Sequence, residues 1–206
     1  MRLAPKRVPA AVLLPALVLA PILTPTPSRA STGTVLRKAA ISVGLVGAAF
    51  ALDGVIEPGD EDRIPGEVIE VPGEIAGAGS FVFGGTAVLA AAGLITGNDA
   101  ALHTAKDLAV ALTVTSGAVW ILKYTTHRER PDGSNYYSFP SGHTAVAFAA
   151  ASVIDKRYGG LAGWGSYAAA ALAGEARVAD NHHYFSDVVA GAVLGTVIGH
   201  LVAHAP

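Results

Sequence analysis

Cysteine is absent from the 206-residue chain. Its absence removes disulfides and thiolate chemistry but chooses no compartment, because an oxidising space permits disulfides without requiring them. Charge is also scarce: charged residues make up 15% of the chain, and 14 basic against 16 acidic side chains leave a formal net charge of −2. There is no global basic field of the kind that draws nucleic acid, so no nucleic-acid partner is expected, and no feature calls for an obligate protein partner. Long internal repeats are missing. Only a short echo, IPGEV and VPGEI, recurs within residues 64–75, and it does not support a solenoid. What the chain does have is apolar mass: 51% hydrophobic residues, 24 glycines and a mean hydropathy of +0.46. That is enough to bury a core and is a composition shared with membrane proteins.

Arg2, Lys6 and Arg7 precede the apolar run AAVLLPALVLAPIL, and TPTPSRA follows, with Ser28 and Ala30 at the small-residue positions that signal peptidase reads. The run is short for a hydrocarbon core of roughly 30 Å and is broken by Pro15 and Pro21. Residues 1–30 are therefore expected to be a cleaved secretory signal. The chain is expected to be exported, either in the cell membrane with its site facing the periplasm or exterior, or free in the periplasm.

Residues 31–79 read as an N-terminal segment holding a weakly apolar stretch (39–56) and an acidic, Pro/Gly-rich loop, and residues 80–206 as a helical core. In the core, apolar runs near 81–96, 107–122, 143–154, 161–174 and 188–203 alternate with polar loops, one of them 97–106. Alanine-rich composition and run length predict an all-α fold, a bundle of about five or six core helices. Gly191, Gly195 and Gly199 mark one helix face on which another backbone can approach closely, in a membrane bundle or a soluble one. Several runs fall short of the roughly 17–25 apolar residues that a spanning helix needs. Trp120, Trp164, Tyr136 and Tyr137 are expected to pack in the core, with a membrane interface or a site entrance as the alternative.

Three polar clusters sit at the ends of these runs. KYTTHRERP places Lys123 at one helix end and Arg130 before Pro131; either cation alone would suit a helix terminus. FPSGH opens the next run. There Pro140 suits a helix start, and Ser141 and Gly142 would offer a hydroxyl and free amides at its positive end, a ready anion site. His143 follows, where an imidazole can exchange a proton with whatever the anion is attached to. In ARVADNHHYFSD, Arg177 precedes His183 and Asp187, whose i, i+4 spacing on a helix would stack imidazole and carboxylate on one face. Such a pair makes a nucleophile, or else an ordinary surface ion pair.

Lys, six residues, Arg-Pro; Pro-Ser-Gly-His; Arg, five residues, His, three residues, Asp: this order resembles the three-part signature of the type 2 phosphatidic acid phosphatase family, whose site is shared with the vanadium haloperoxidases. The signature spans residues 123–187, and the helical region around it fits from about 80 to 204. Many members have Ser before the third-motif Arg, where this chain has Ala176; that removes one polar contact and leaves the reactive groups intact. The resemblance implies that His183 attacks phosphorus to form a phosphohistidine and that Asp187 orients it. Lys123, Arg130 and Arg177 would hold the non-bridging oxygens, with hydrogen bonds from Ser141 and Gly142. His143 would protonate the leaving alcohol and then activate water. Phosphoryl transfer needs positioning and charge neutralisation, and three cations with helix-end amides supply both, so neither metal nor cofactor is expected. The same cations would oppose a zinc ion drawn on His143, His182, His183 and Asp187.

The expected activity is hydrolysis of a phosphomonoester or pyrophosphate, of a lipid or of a small phosphoester. A phosphotransferase, a vanadate-dependent haloperoxidase and a non-catalytic membrane scaffold are the rivals. His127 and His182 stay outside the expected site, and His103, His200 and His204 read as helix-end residues. If 39–56 does not span, the three motif loops fall outside the cell and the loop bearing Lys156 and Arg157 falls inside.

Overall fold

The computed structural model describes residues 32–55 and 79–203. The expected signal, the acidic loop and His204 lie outside them. Six α-helices are found among the described residues: α1 (Thr32–Leu52), α2 (Gly79–Thr96), α3 (Asp99–Thr126), α4 (Gly142–Tyr158), α5 (Gly160–Ala179) and α6 (Phe185–Val202). The fold is all-α, as the composition predicts.

The axis of the bundle is α4, in which Thr144 through Val153 are buried without interruption. A helix that is small and apolar on every side has no face to give to water. Leu108, Ala111 and Leu112 of α3 pack with its Val146, Ala150 and Val153. Tyr167, Ala170 and Ala171 of α5 and Ala192 of α6 pack with its Ala147, Phe148 and Ala151. The glycine face of α6 meets the α4 backbone directly. A Cβ added at Gly191 would stand 2.5 Å from the Ser141 carbonyl oxygen, and one at Gly199 would stand 2.8 Å from Ser152 Cβ. One at Gly195 would collide with the Ala145 carbonyl. The other end of the sequence joins through α1, whose Ala49 packs with Val178, Phe185 and Val188.

The sequence reading of a loop over 97–106 is corrected. The chain reverses at Gly97, with φ of +66°, and Asn98, which caps α3 by accepting the Ala101 amide at 3.1 Å. Residues 99–106 already belong to α3. Their polar character serves packing: the Thr104 hydroxyl lies 3.1 Å from that of Tyr158, and just beyond them Asp107 accepts from Arg157 Nε at 2.8 Å, at the end of α4 far from Gly142. Core packing for the tryptophans is also corrected, since Trp120 and Trp164 are each 54% exposed.

By length and composition, α2, α3 and α6 are long and apolar enough to cross a membrane, whereas the apolar part of α1, Ala40–Leu52, is shorter. Much of α2 faces outward, with Val88, Leu94 and Ile95 exposed.

Candidate active site

The third cluster is built by a turn, not by a helix face. After α5 ends, Asn181 adopts φ of +59°, a left-handed conformation that asparagine tolerates. The amides of His182 and His183 then both donate to the Arg177 carbonyl, at 3.2 and 3.1 Å. Tyr184 is the N-cap of α6, and its amide donates to Asp187 Oδ2 at 3.0 Å. His183 therefore precedes the helix that carries Asp187, which corrects the i, i+4 helical reading. The two side chains still meet. His183 Nδ1 lies 3.6 Å from Asp187 Oδ2, facing it but beyond hydrogen-bond length. Their side chains are 3% and 0% exposed, so the surface ion pair considered as an alternative is not what the fold contains.

Burial pushes the His183 imidazole down to about 4; Asp187 acts in the opposite sense, and Lys123 and Arg130 reinforce the drop. The ring is thus neutral at physiological pH, with a lone pair on the nitrogen turned away from Asp187. A stability effect follows. An unfolded imidazole takes up a proton near pH 6.5, whereas the folded one refuses it until about pH 4. The contribution is complete above the unfolded value and is lost as pH falls through this window. The melting temperature of wild type should drop more steeply from about pH 7 to about pH 4 than that of His183→Gln; parallel curves would show that this ring does not titrate as described.

The second cluster is fastened to the third, because the Ser141 amide donates to the Asp187 carbonyl at 2.9 Å. Ser141 is the N-cap of α4, so Pro140 stands just before the cap and not in the first turn. The buried Ser141 hydroxyl accepts from Thr144 Oγ1 at 2.9 Å, which leaves its own hydrogen for another acceptor. Gly142 lies against α3: a Cβ there would come within 3.4 Å of Val119 Cγ1 and 4.0 Å of Lys123 Cε. The bare amide therefore sits beside the Lys123 side chain. His143 follows in the same turn, half-buried.

Lys123, in the last turn of α3, is 8% exposed, and its ammonium donates to the Tyr137 carbonyl. It is held by the loop between the first two motifs, not by its own helix end. Arg130 has its amide fixed on the Asn135 carbonyl at 2.9 Å, while its enclosed Nε has no hydrogen-bond partner. The Arg177 guanidinium is turned to Asp180, with which it forms an ion pair. His182 lies 3.8 Å from Asp180 and 4.0 Å from Asp132. Lys123, Arg130, Ser141, Gly142, His183 and Asp187 are thus brought to one end of the bundle, with His143 in the same α4 turn.

Several residues in this site were not anticipated. Arg128 Nη1 donates to Asp187 Oδ1 at 2.7 Å and to Ser186 Oγ at 2.6 Å, and its Nη2 donates to Asp53 Oδ2 at 2.8 Å. The Ser138 hydroxyl donates to Asp187 Oδ2 at 2.5 Å. Arg128 carried no signal separating it from Arg130. Asp53 did carry one: it follows an apolar helix with no basic residue in its last turn, where the helix dipole disfavours an acid. A locally unfavourable residue of this kind points to a tertiary partner. Beside Lys123, Trp120 stacks on Tyr124 at 5.7 Å, Tyr124 meets Tyr137 edge-on at 5.4 Å, and His127 stacks on Tyr136 at 5.2 Å. These rings form a partly exposed ledge at the site.

A PAP2 superfamily model matches residues 104–206. The lipid A 1-phosphatase of Porphyromonas gingivalis is 41% identical over 96 residues, covering 45% of this chain and 22% of that protein. A PA-phosphatase related-family protein of Dictyostelium discoideum is 31% identical over 125 residues, covering 47% of this chain and 46% of that protein. The chain thus spans less than half the length of either curated relative. No solved structure matches it. The family match takes in half of the chain and all three polar clusters, from Lys123 to Asp187, and the chain belongs to the PAP2 superfamily.

Proposed function

We propose that this chain is a lipid phosphatase that works through a phosphohistidine on His183. The observation that carries the reading is a buried, neutral imidazole backed by a carboxylate and flanked by Lys123 and Arg130, the latter with an enclosed Nε that has no protein acceptor. A buried donor without an acceptor is costly, and a phosphoryl oxygen would satisfy it. The His183 lone pair attacks phosphorus as the bond to the leaving oxygen breaks, and protonated His143 gives its proton to that oxygen. The resulting positive charge on the ring is stabilised by Asp187. His143, now neutral, takes a proton from water; the water oxygen attacks phosphorus, the P–N bond breaks, and the neutral imidazole returns. Lys123, Arg130, Arg177, Ser141 and the Gly142 amide hold the equatorial oxygens. Arg177 gives Nη2 to Asp180, so it would serve the phosphate with its other donors or by exchanging that pair.

A lipid substrate is supported by the outward apolar surface of α2, by the aromatic ledge at the site and by the printed names of both relatives. Lys156 and Arg157 close α4 at the end opposite the site; the positive-inside tendency then favours a site outside the cytoplasm. The test is phosphate release, in EDTA, from phosphatidic acid, phosphatidylglycerophosphate, an isoprenyl pyrophosphate, lipid A and a soluble phosphomonoester. Release from one or more lipids, lost in His183→Ala, is expected. Turnover of the soluble ester alone would overturn the lipid half of the reading. Silence on every substrate would overturn the whole, and loss on chelation would reinstate a metal.

A further inference from the structure

The densest polar network at the site includes a residue from outside the three motifs. Asp53, in the turn that ends α1, receives the Ser186 amide on Oδ1 at 2.8 Å. Its Oδ2 receives the Ser186 hydroxyl at 2.5 Å and Arg128 Nη2 at 2.8 Å. It thereby caps the first turn of α6 from far away in the chain, and it holds one arm of a guanidinium whose other arm grips Asp187 Oδ1. Arg128 is further confined by the rings of Phe50, 4.8 Å from its Cζ, and Tyr184, at 4.1 Å.

We infer that Asp53 is a positioning residue of this site, acting through Arg128 to fix the rotamer and the charge of Asp187, and so the His183 ring. The inference rests on the phosphohistidine reading for its kinetic part only. A guanidinium shared by two carboxylates has a fixed plane, because Nη1 bridges Asp187 and Ser186 while Nη2 holds Asp53, and neither carboxylate can rotate without losing a charge-assisted bond. If Asp53 is removed, Arg128 keeps Asp187 but can swing about it. Asp187 must hold His183 in attack geometry, where small displacements are costly.

The network also sets a charge balance. The groups acting on His183 are Asp187 from α6, Lys123 from α3 and Arg130 from the loop that follows; one step removed, Arg128 of the same loop acts on Asp187, and Asp53 of the turn after α1 acts on Arg128. Beyond the Arg177 turn lie Asp180 and His182. Taking away Arg128 leaves Asp187 uncompensated and favours the imidazolium, whereas taking away Asp53 does the reverse.

The experiment uses the full chain in lipid nanodiscs: wild type, Asp53→Asn, Arg128→Gln and the double variant. Initial rates of phosphate release from phosphatidic acid, melting temperature and the NMR titration of the His183 imidazole are read for each. Asp53→Asn should lower kcat roughly ten- to hundredfold with little change in KM. The double variant should be no slower than Arg128→Gln, because Asp53 acts through that side chain. Arg128→Lys should recover part of the loss. The His183 midpoint should rise in Arg128→Gln and fall in Asp53→Asn. Multiplying losses in the double variant, or losses that simply track melting temperature, would reduce Asp53 to a docking contact for α1 and overturn the inference. If wild type releases no phosphate from phosphatidic acid or from any other lipid tested above, the catalytic reading falls and the titrations alone decide: midpoints unmoved in both single variants would overturn the relay too.

Discussion

Full-length protein carrying His183→Ala should release phosphate on the order of 10⁴-fold more slowly than wild type, or worse, while keeping its fold. In the proposed mechanism alanine removes the atom that would bond to phosphorus and leaves the surrounding cations, so what would survive is substrate binding without a nucleophile. The buried ring makes no hydrogen bond on Nδ1, and its replacement leaves no charge unpaired, since Asp187 keeps Arg128, Ser138 and the Tyr184 amide. The fold should therefore tolerate the change. His143→Ala tests the other half of the mechanism. Loss of a general acid typically costs about 10²–10⁴-fold, and the loss should depend on the leaving group. An alkyl phosphate needs a proton as it departs, whereas p-nitrophenolate does not, so the first release of p-nitrophenolate should be spared most of the effect, while the hydrolysis that follows, where His143 takes a proton from water, should still be slowed. Rapid acid-free quenching of wild type on labelled substrate should trap label on protein, and none should be trapped on His183→Ala. Near-normal turnover of an alkyl phosphate in either variant, with the fold intact, would sink the mechanism.

The second large effect concerns stability. Gly195→Ala should destabilise the protein by about 3 kcal/mol or more, because overpacking usually costs 1–3 kcal/mol even where side chains can move. Here the obstacle is backbone: the added methyl meets the Ala145 carbonyl and lies 2.9 Å from the Ala149 nitrogen. Helix separation must increase, and for a chain of this size a fall of roughly 10 °C in melting temperature is expected. Gly165→Ala in α5 is the matched control. Nothing stands within 4 Å of a Cβ there, so its gain in helix propensity should leave stability unchanged or better. Equal melting points for the two variants would mean that the close approach of α4 and α6 does not hold the bundle together.

Helix identity was legible because alanine-rich apolar runs of this length have few other options. Helix ends were less so. At 99–106, Thr104 looks like a loop residue until its partner Tyr158 is known, and that partner lies 54 residues away. The candidate site positions were legible as spacing, yet the reason His183 meets Asp187 was not. The left-handed Asn181 and the cap at Tyr184 perform a job that a helix face was expected to do. The link from Asp53 to Arg128 crosses 75 residues, and it depends on where α1 docks. Local pattern carries no register for such a contact. The pairing of Arg177 with Asp180 was hidden for the opposite reason: it is so local that the arginine read simply as a cation aimed at substrate.

The glycine seam divides the site into a half that cannot be adjusted and a half that can. Ser141, Gly142 and His143 ride on α4, Asp187 rides on α6, and these two helices touch backbone to backbone, so the spacing between the carboxylate that faces His183 and the turn that carries His143 is set by main chain, with no room for an added methyl along the seam. The opposite wall is α3 and the loop that follows it, joined to the seam through side chains such as Arg128, which donates to Asp187, and Val119, which lies beside Gly142. Changes of substrate would thus be written on that wall, in the residues around Trp120, Tyr124 and Tyr136, with the reaction chemistry carried along unaltered, as one die set can be fitted to many presses.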